Sequence, residues 1–158
     1  MADGDLLYAG VAPCYQAQID DYLIGSGAPW RISSVDGVGA RAATGPRTQR
    51  DMAPGEIVGV QVPTAGAVAI TAFCRTGDVA SMEVAIAALA DAWIPSTEVL
   101  RGPKRLDLLI PGRGHLYVMG TPVQVSPMRT FAAGGAADVV LTFAKSDPTE
   151  HTVEPQPS

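Results

Sequence analysis

The segment Asp78 to Trp93, DVASMEVAIAALADAW, is the only long stretch with a helical period, and it constrains the fold more than any other feature. Val79, Met82, Ile86, Leu89 and Trp93 recur at steps of three and four, which stacks them on one face of a helix. Asp78 is placed to cap the first turn, its carboxylate accepting from N–H groups that have no partner inside the helix. Pro95 ends the helix, because it has no N–H to donate and disfavours helical geometry at Ile94. Ala85, Ala87, Ala88, Ala90 and Ala92 keep much of the surface short-chained, so a second backbone can approach closely. Ala88 and Ala92 are therefore candidate subunit contacts.

Everything else reads as strand or turn. The clusters Leu6-Leu7-Tyr8 and Tyr22-Leu23-Ile24, interrupted by glycines, predict an N-terminal arm or edge strands over residues 1–27. Trp30, Ile32 and Ser34 alternate up to the turn dipeptide Asp36-Gly37. EIVGVQV, Glu56 to Val62, alternates cleanly and with AVAITAFCR, Ala67 to Arg75, suggests a hairpin. After the helix, LDLLI (Leu106 to Ile110) and HLYVMG (His115 to Gly120) flank the turn Pro111-Gly112-Arg113-Gly114. TPVQVSPMRT, Thr121 to Thr130, reads as a further strand. In ADVVLTFAK, Val139, Leu141 and Phe143 alternate with Asp138, Val140 and Thr142. TEHTVEPQPS is polar and proline-rich, so residues 149–158 are expected to be a disordered tail. Strands at roughly ten-residue spacing around one midway helix predict a mainly β fold, a β-sandwich or split barrel with the helix at about 78–93 flanking it.

Between them lies VGARAATGPRTQRDMAPG, Val38 to Gly55, a long loop of small, polar and basic residues with no sustained period. Loops of that length inside a compact domain are uncommon, and a functional or partner-ordered role is the usual reason. Arg41, Arg47 and Arg50 make it the first place to seek contacts between subunits; a mobile surface loop is the alternative.

Composition narrows the function. A chain of 158 residues fits one domain, and its charged fraction of 17% is low for a soluble protein. Few charges at 47% hydrophobic content imply that neighbouring copies cover part of the surface, unless the domain is simply compact and alanine-rich. The net charge of −5 argues against a general binder of nucleic acid or anionic membranes, which needs clustered Lys and Arg. No apolar run approaches the roughly 20 residues of a membrane helix, and MADGDLLYAG lacks a signal-peptide pattern, so no membrane anchor is expected and synthesis in the cytosol follows.

Catalytic signals are sparse. Cys14 and Cys74 lack metal-ligand spacing, and Cys74 in an apolar run reads as a small buried hydrophobe. The Gly112-Arg113-Gly114 turn does not open a helix and cannot cradle a phosphate as a strand–loop–helix does. His115 reads as a lone surface histidine rather than a general base, and Asp107 and Asp138 as solvent-facing strand residues. Neither a cofactor nor a metal is expected.

The order of elements resembles the N-terminal belt domain of siphophage distal tail (Dit) proteins, often called minor tail proteins in actinobacteriophages. The pieces that match are Trp30-Arg31-Ile32, Gly37, the helix with Leu89 and Trp93, Leu106 to Leu116, and Val139-Val140-Leu141-Thr142-Phe143 followed by Asp147-Pro148. Together they span residues 28 to about 150, with the belt domain proper at 28–148. That resemblance implies a fold like that of tail-tube proteins and a structural, non-enzymatic role in the virion. It implies a hexameric ring that joins the tail tube to the baseplate hub or tail tip and leaves a channel for DNA. Its partners would be other copies of itself, the tube protein and the hub proteins, with DNA passing without sequence readout. The larger members carry a second, often carbohydrate-binding domain, for which a chain of this length leaves no room. Competing expectations are a tail-tube or tail-terminator subunit, and a small-ligand-binding β-barrel or an enzyme using His115.

Overall fold

The computed structural model describes residues 7, 14–26, 28–39, 42–44, 47–49, 54–59, 62–95, 102–130 and 135–153. In chain order the strands are β1 (Gln16–Ile19), β2 (Tyr22–Gly25), β3 (Arg31–Asp36), β4 (Ala42–Thr44), β5 (Arg47–Gln49), β6 (Glu56–Val58), β7 (Val62–Thr64) and β8 (Ala67–Arg75). The helix α1 (Val79–Trp93) follows, and then β9 (Lys104–Ile110), β10 (Gly114–Thr130), β11 (Ala136–Lys145) and β12 (His151–Thr152).

One antiparallel sheet runs in the order β2-β1-β9-β10-β11-β8-β3, with β12 also paired to β10. β10 holds its two halves together. Gly114 to Gly120 pairs with β9, and Gly120 to Thr130 pairs with β11 along the opposite edge. Apolar residues from one face of both halves, among them Ile19, Ile70, Leu106, Val118 and Leu141, belong to a single core cluster. β2 and β3, at opposite ends of the strand order, also come into contact, so the sheet curls round on itself, with β10 as the strand its two halves share. The result is a mainly β split barrel with one flanking helix.

Gly120 sits at the fold line. It is paired on one side with Lys104 and on the other with Lys145. A Cβ there would lie 2.0 Å from the Ala144 carbonyl oxygen, so only glycine lets the two chains approach. The sequence expectation of two strands, 115–120 and 121–130, is corrected here. Gly120-Thr121-Pro122 looked like a break, but the backbone stays extended and the missing N–H of Pro122 coincides with a register shift between Pro122 and Gln124.

The helix lies on the core as its period requires. Met82, Ile86, Leu89 and Trp93 are buried, whereas Val79, expected on the same face, is 49% exposed at the first turn. Asp78 caps as expected, accepting from the Ser81 N–H at 2.8 Å. Both tryptophans are fully buried and keep their polar atoms bonded: Trp30 Nε1 donates to the Ala85 carbonyl at 3.4 Å and Trp93 Nε1 to the Thr142 carbonyl at 3.3 Å. Trp93 also meets Phe143 edge to face, with centroids 6.1 Å apart.

Two further expectations change. The segment Val38 to Gly55, read as without period, contains β4 and β5, and these pair with β7 and β6 rather than with the main sheet. Glu56 to Val62 therefore does not form a hairpin with β8; β6 pairs back with β5 and β7 with β4, and the four strands β4 to β7 make an arm outside the main sheet. His151 and Thr152, placed in a disordered tail by composition, form β12 against Tyr117 and Leu116. Backbone pairing to β10 outweighs the polar composition there, and Val153 N–H adds a bond to the His115 carbonyl at 2.9 Å.

Candidate interaction surfaces

The arm is held at its root by two charged residues that the sequence did not single out. The Lys145 N–H donates to the Gly66 carbonyl at 2.9 Å, and its buried ammonium reaches the Gly37 carbonyl at 3.4 Å. Both ends of the arm are thereby tied to the last residue of β11. Glu150 completes the clasp. It accepts from the Gly39 N–H, pairs with Arg113 at 3.2 Å and lies 3.7 Å from Lys145 Nζ. Burial alone would push the Glu150 carboxyl up; the Gly39 N–H, Arg113 and Lys145 outweigh it and hold the group below the ordinary glutamate value.

The two halves of the sheet differ on their outer faces. Over the first half, Gln18, Asp107, Tyr117 and His151 stand in one cross-strand row on β1, β9, β10 and β12. Gln18 and Asp107 are almost fully buried there. Asp107 accepts from Arg105, with its shortest contact at 2.8 Å, and sits 2.8 Å from His115 Nε2. The Arg105 guanidinium lies over the Tyr117 ring at 3.9 Å, and Tyr117 stacks on His151 at 4.8 Å. Asp107 and His115 are thus members of a structural cluster, which corrects the expectation of a solvent-facing carboxylate and a lone histidine. The cause is that residues two apart on β9 and across from it on β10 supply the carboxylate's partners from within the sheet. Asp138, by contrast, is exposed, and its pairing partners are Phe73 and Met128, not Asp107.

Over the second half the matching rows are open. Ser126, Val140, Thr71 and Ser34 form one row, and Met128, Asp138, Phe73 and Arg31 the next. Met128 is 63% exposed and Val140 41%.

A third surface is the groove of about 510 Å³ between α1 and the β2–β3 connection, lined by Tyr22, Leu23, Pro29, Val84, Ala85 and Ala88 among others. Val84 is 70% exposed on its rim. Of the residues proposed from sequence, Ala88 lines this groove, Ala92 is half-buried, and Arg47 is exposed at the start of β5. Arg41 and Arg50 lie outside the described residues. Among the described residues no group of three or more His, Cys, Asp and Glu could hold a metal ion, and no helix is long and apolar enough to cross a membrane.

A split barrel of this topology, with one flanking helix, defines a class: the Dit-like fold found among phage tail and baseplate proteins. The chain superimposes on the SPP1 Dit protein, described as a paradigm of the hub adsorption apparatus in phages infecting Gram-positive hosts, with a TM-score of 0.66 at 12% identity. That match covers 86% of this chain and 51% of SPP1 Dit, so the chain spans about half the length of its structural relative. A chain of the phage p2 baseplate in its activated conformation matches with a TM-score of 0.59 at 10% identity, over 84% of this chain and 43% of the other. A chain of the PVC extracellular contractile injection system, in its extended sheath–tube complex, matches with a TM-score of 0.50 at 13% identity, over 89% of both chains. No family model and no curated protein sequence matches the chain.

Proposed function

We propose that the protein is a structural component of a long-tailed phage, a subunit of a ring that joins the tail tube to the hub or tail tip and leaves a channel for DNA. The observation that carries this reading is the shared fold with SPP1 Dit over 86% of the chain. The exposed apolar side chains of the second half-sheet and of the groove rim support it, since they offer apolar surface that a neighbouring copy would cover. A net charge of −5 suits a wall past which DNA must slide, because like charge lowers its affinity.

Light scattering and negative-stain images of the purified protein test it. Closed rings whose mass is a multiple of 16.3 kDa are expected. A strict monomer at high concentration, both alone and with tube protein added, overturns it. The match to a contractile-system chain over 89% of both lengths favours a second reading, a tail-tube subunit, which would give open filaments instead of closed rings.

A further inference from the structure

We propose that the open outer face of the second half of the sheet in one copy packs on α1 and the groove beside it in the next copy. This rests on the ring reading and names the contact by which the ring repeats. Position, apolar surface and charge each point to it.

The two surfaces lie on opposite sides of one layer. α1 covers the inner side of the second half, where Trp93 Nε1 donates to the Thr142 carbonyl, Glu83 pairs with Arg129, and Ala137, Val139 and Leu141 are buried. Along β11, Asp138 and Val140 alternate to the other side, in rows with Phe73 and Met128 and with Thr71 and Ser126. A single copy therefore cannot bring the two surfaces together, but neighbouring copies can. Such a contact is head-to-tail, and it repeats into rings or filaments instead of closing as a dimer.

Both surfaces leave large apolar side chains in the open. Met128 and Val140 stand exposed on the sheet, and Val79 and Val84 on the helix. Around Val84 the helix presents Ala80, Ala87 and Ala88, all exposed, so the face of a sheet can lie close to the helix backbone. Beside them the groove of about 510 Å³ has walls of Tyr22, Leu23 and Pro29. Its volume admits a long apolar side chain such as Met128.

Charge gives the contact a direction. Among the described residues Arg31 and Arg75 are exposed and enter no ion pair, and both belong to the sheet face, Arg31 across from Phe73 and Arg75 two residues further along β8. Asp21 on the wall of the groove and Asp91, one turn beyond Ala88 on the helix, are likewise exposed and in no ion pair among the described residues. The other acids near them are engaged: Asp20 with Lys104, Glu83 with Arg129, and Asp78 with the first turn of α1. α1 itself has no basic residue. The sheet face has acids of its own, Asp138 on β11 and Asp36 at the far end of β3, while its two arginines gather where β3 begins and β8 ends.

Two variants test the docking by exchange of charge. Arg31→Glu with Arg75→Glu makes both surfaces acidic, and Asp21→Lys with Asp91→Lys makes both basic. Each variant alone should assemble about tenfold more weakly than wild type, and an equimolar mixture should recover, the two variants alternating. Variants that assemble as well as wild type, or a mixture as weak as its components, overturn the docking and leave the ring reading intact. Direction is read from Met128→Cys with Val84→Cys in a Cys14→Ser background, Cys74 being buried, joined in the assembled protein by a short bismaleimide. A ladder of dimer, trimer and higher covalent species is expected. Absence of a cross-link overturns the docking, and so do dimers from either single-cysteine variant, which would set like surface against like. A wild-type protein that assembles neither alone nor with tube protein overturns the ring reading and this docking with it.

Discussion

The two halves of the sheet share a strand and an interior yet treat their outer faces oppositely. Around the first half of β10 the outer row is polar and closed: Asp107 is 2% exposed beneath Arg105 and His115, and the Tyr117 and His151 rings cover the row's far end. Around the second half the corresponding rows carry Val140 in the open between Ser126 and Thr71, and Met128 in the open beside Asp138. A face that satisfies its own polar groups has no need of a partner, whereas an exposed apolar face gains by finding one. One half therefore satisfies its polar groups within the chain, and the other leaves apolar side chains open.

Substitutions can break this contrast at four points. The largest effect is expected at the strand both halves share: Gly120→Val would drive a side chain into the Ala144 carbonyl and should cost more than about 4 kcal/mol, read as loss of a cooperative melt or of soluble protein. Asp107→Ala removes the buried carboxylate that Arg105 and His115 bond and should cost about 2 kcal/mol in chemical denaturation. An unchanged midpoint would show that the cluster is not what closes that face.

The clasp gives a smaller effect with a pH signature. Glu150→Gln should cost about 1 kcal/mol at neutral pH. Because the folded-state carboxyl is held below its ordinary value, the wild type has this stability in full above the ordinary glutamate range and loses it as pH falls through the folded value. Titrated between neutral pH and strong acid, the difference between wild type and E150Q should shrink towards zero. The smallest effects belong to the open half. Asp138→Ala and Val140→Lys should each change monomer stability by less than about 0.5 kcal/mol. If that face meets neighbouring subunits, Val140→Lys will reduce ring yield without moving the melting temperature; a large loss of stability would place Val140 in the fold's own structure instead.

Much of the fold was legible in the sequence. The helix, β8 and β11 follow from periodicity because each buries one face in the local core, and Val139, Leu141 and Phe143 are buried as their alternation demands, whereas β9 reads as an apolar run because it is buried on both faces. The arm was not legible as a paired structure. Alternation in Glu56 to Val62 marks a strand but names no partner, and the nearest strand in sequence, β8, was the wrong one. The continuous β10 was hidden by Gly120 and Pro122, residues that usually break a strand and here serve a close approach and a shifted register. The Asp107 cluster was hidden as well, since one polar residue within an apolar strand gives no sign of whether its face is covered. Ala88 could be anticipated as surface; Glu150, in a segment that composition assigned to disorder, could not.

The clasp also has a temporal consequence. The Gly39–Glu150 bond joins residues 111 apart in sequence, and loops of that span close late because their entropy must be lost before any contact repays it. The arm can therefore be aimed only after β11 and β12 have docked. Pulse-labelled hydrogen exchange during refolding should show amides of β8 and β11 protected before those at the root of the arm.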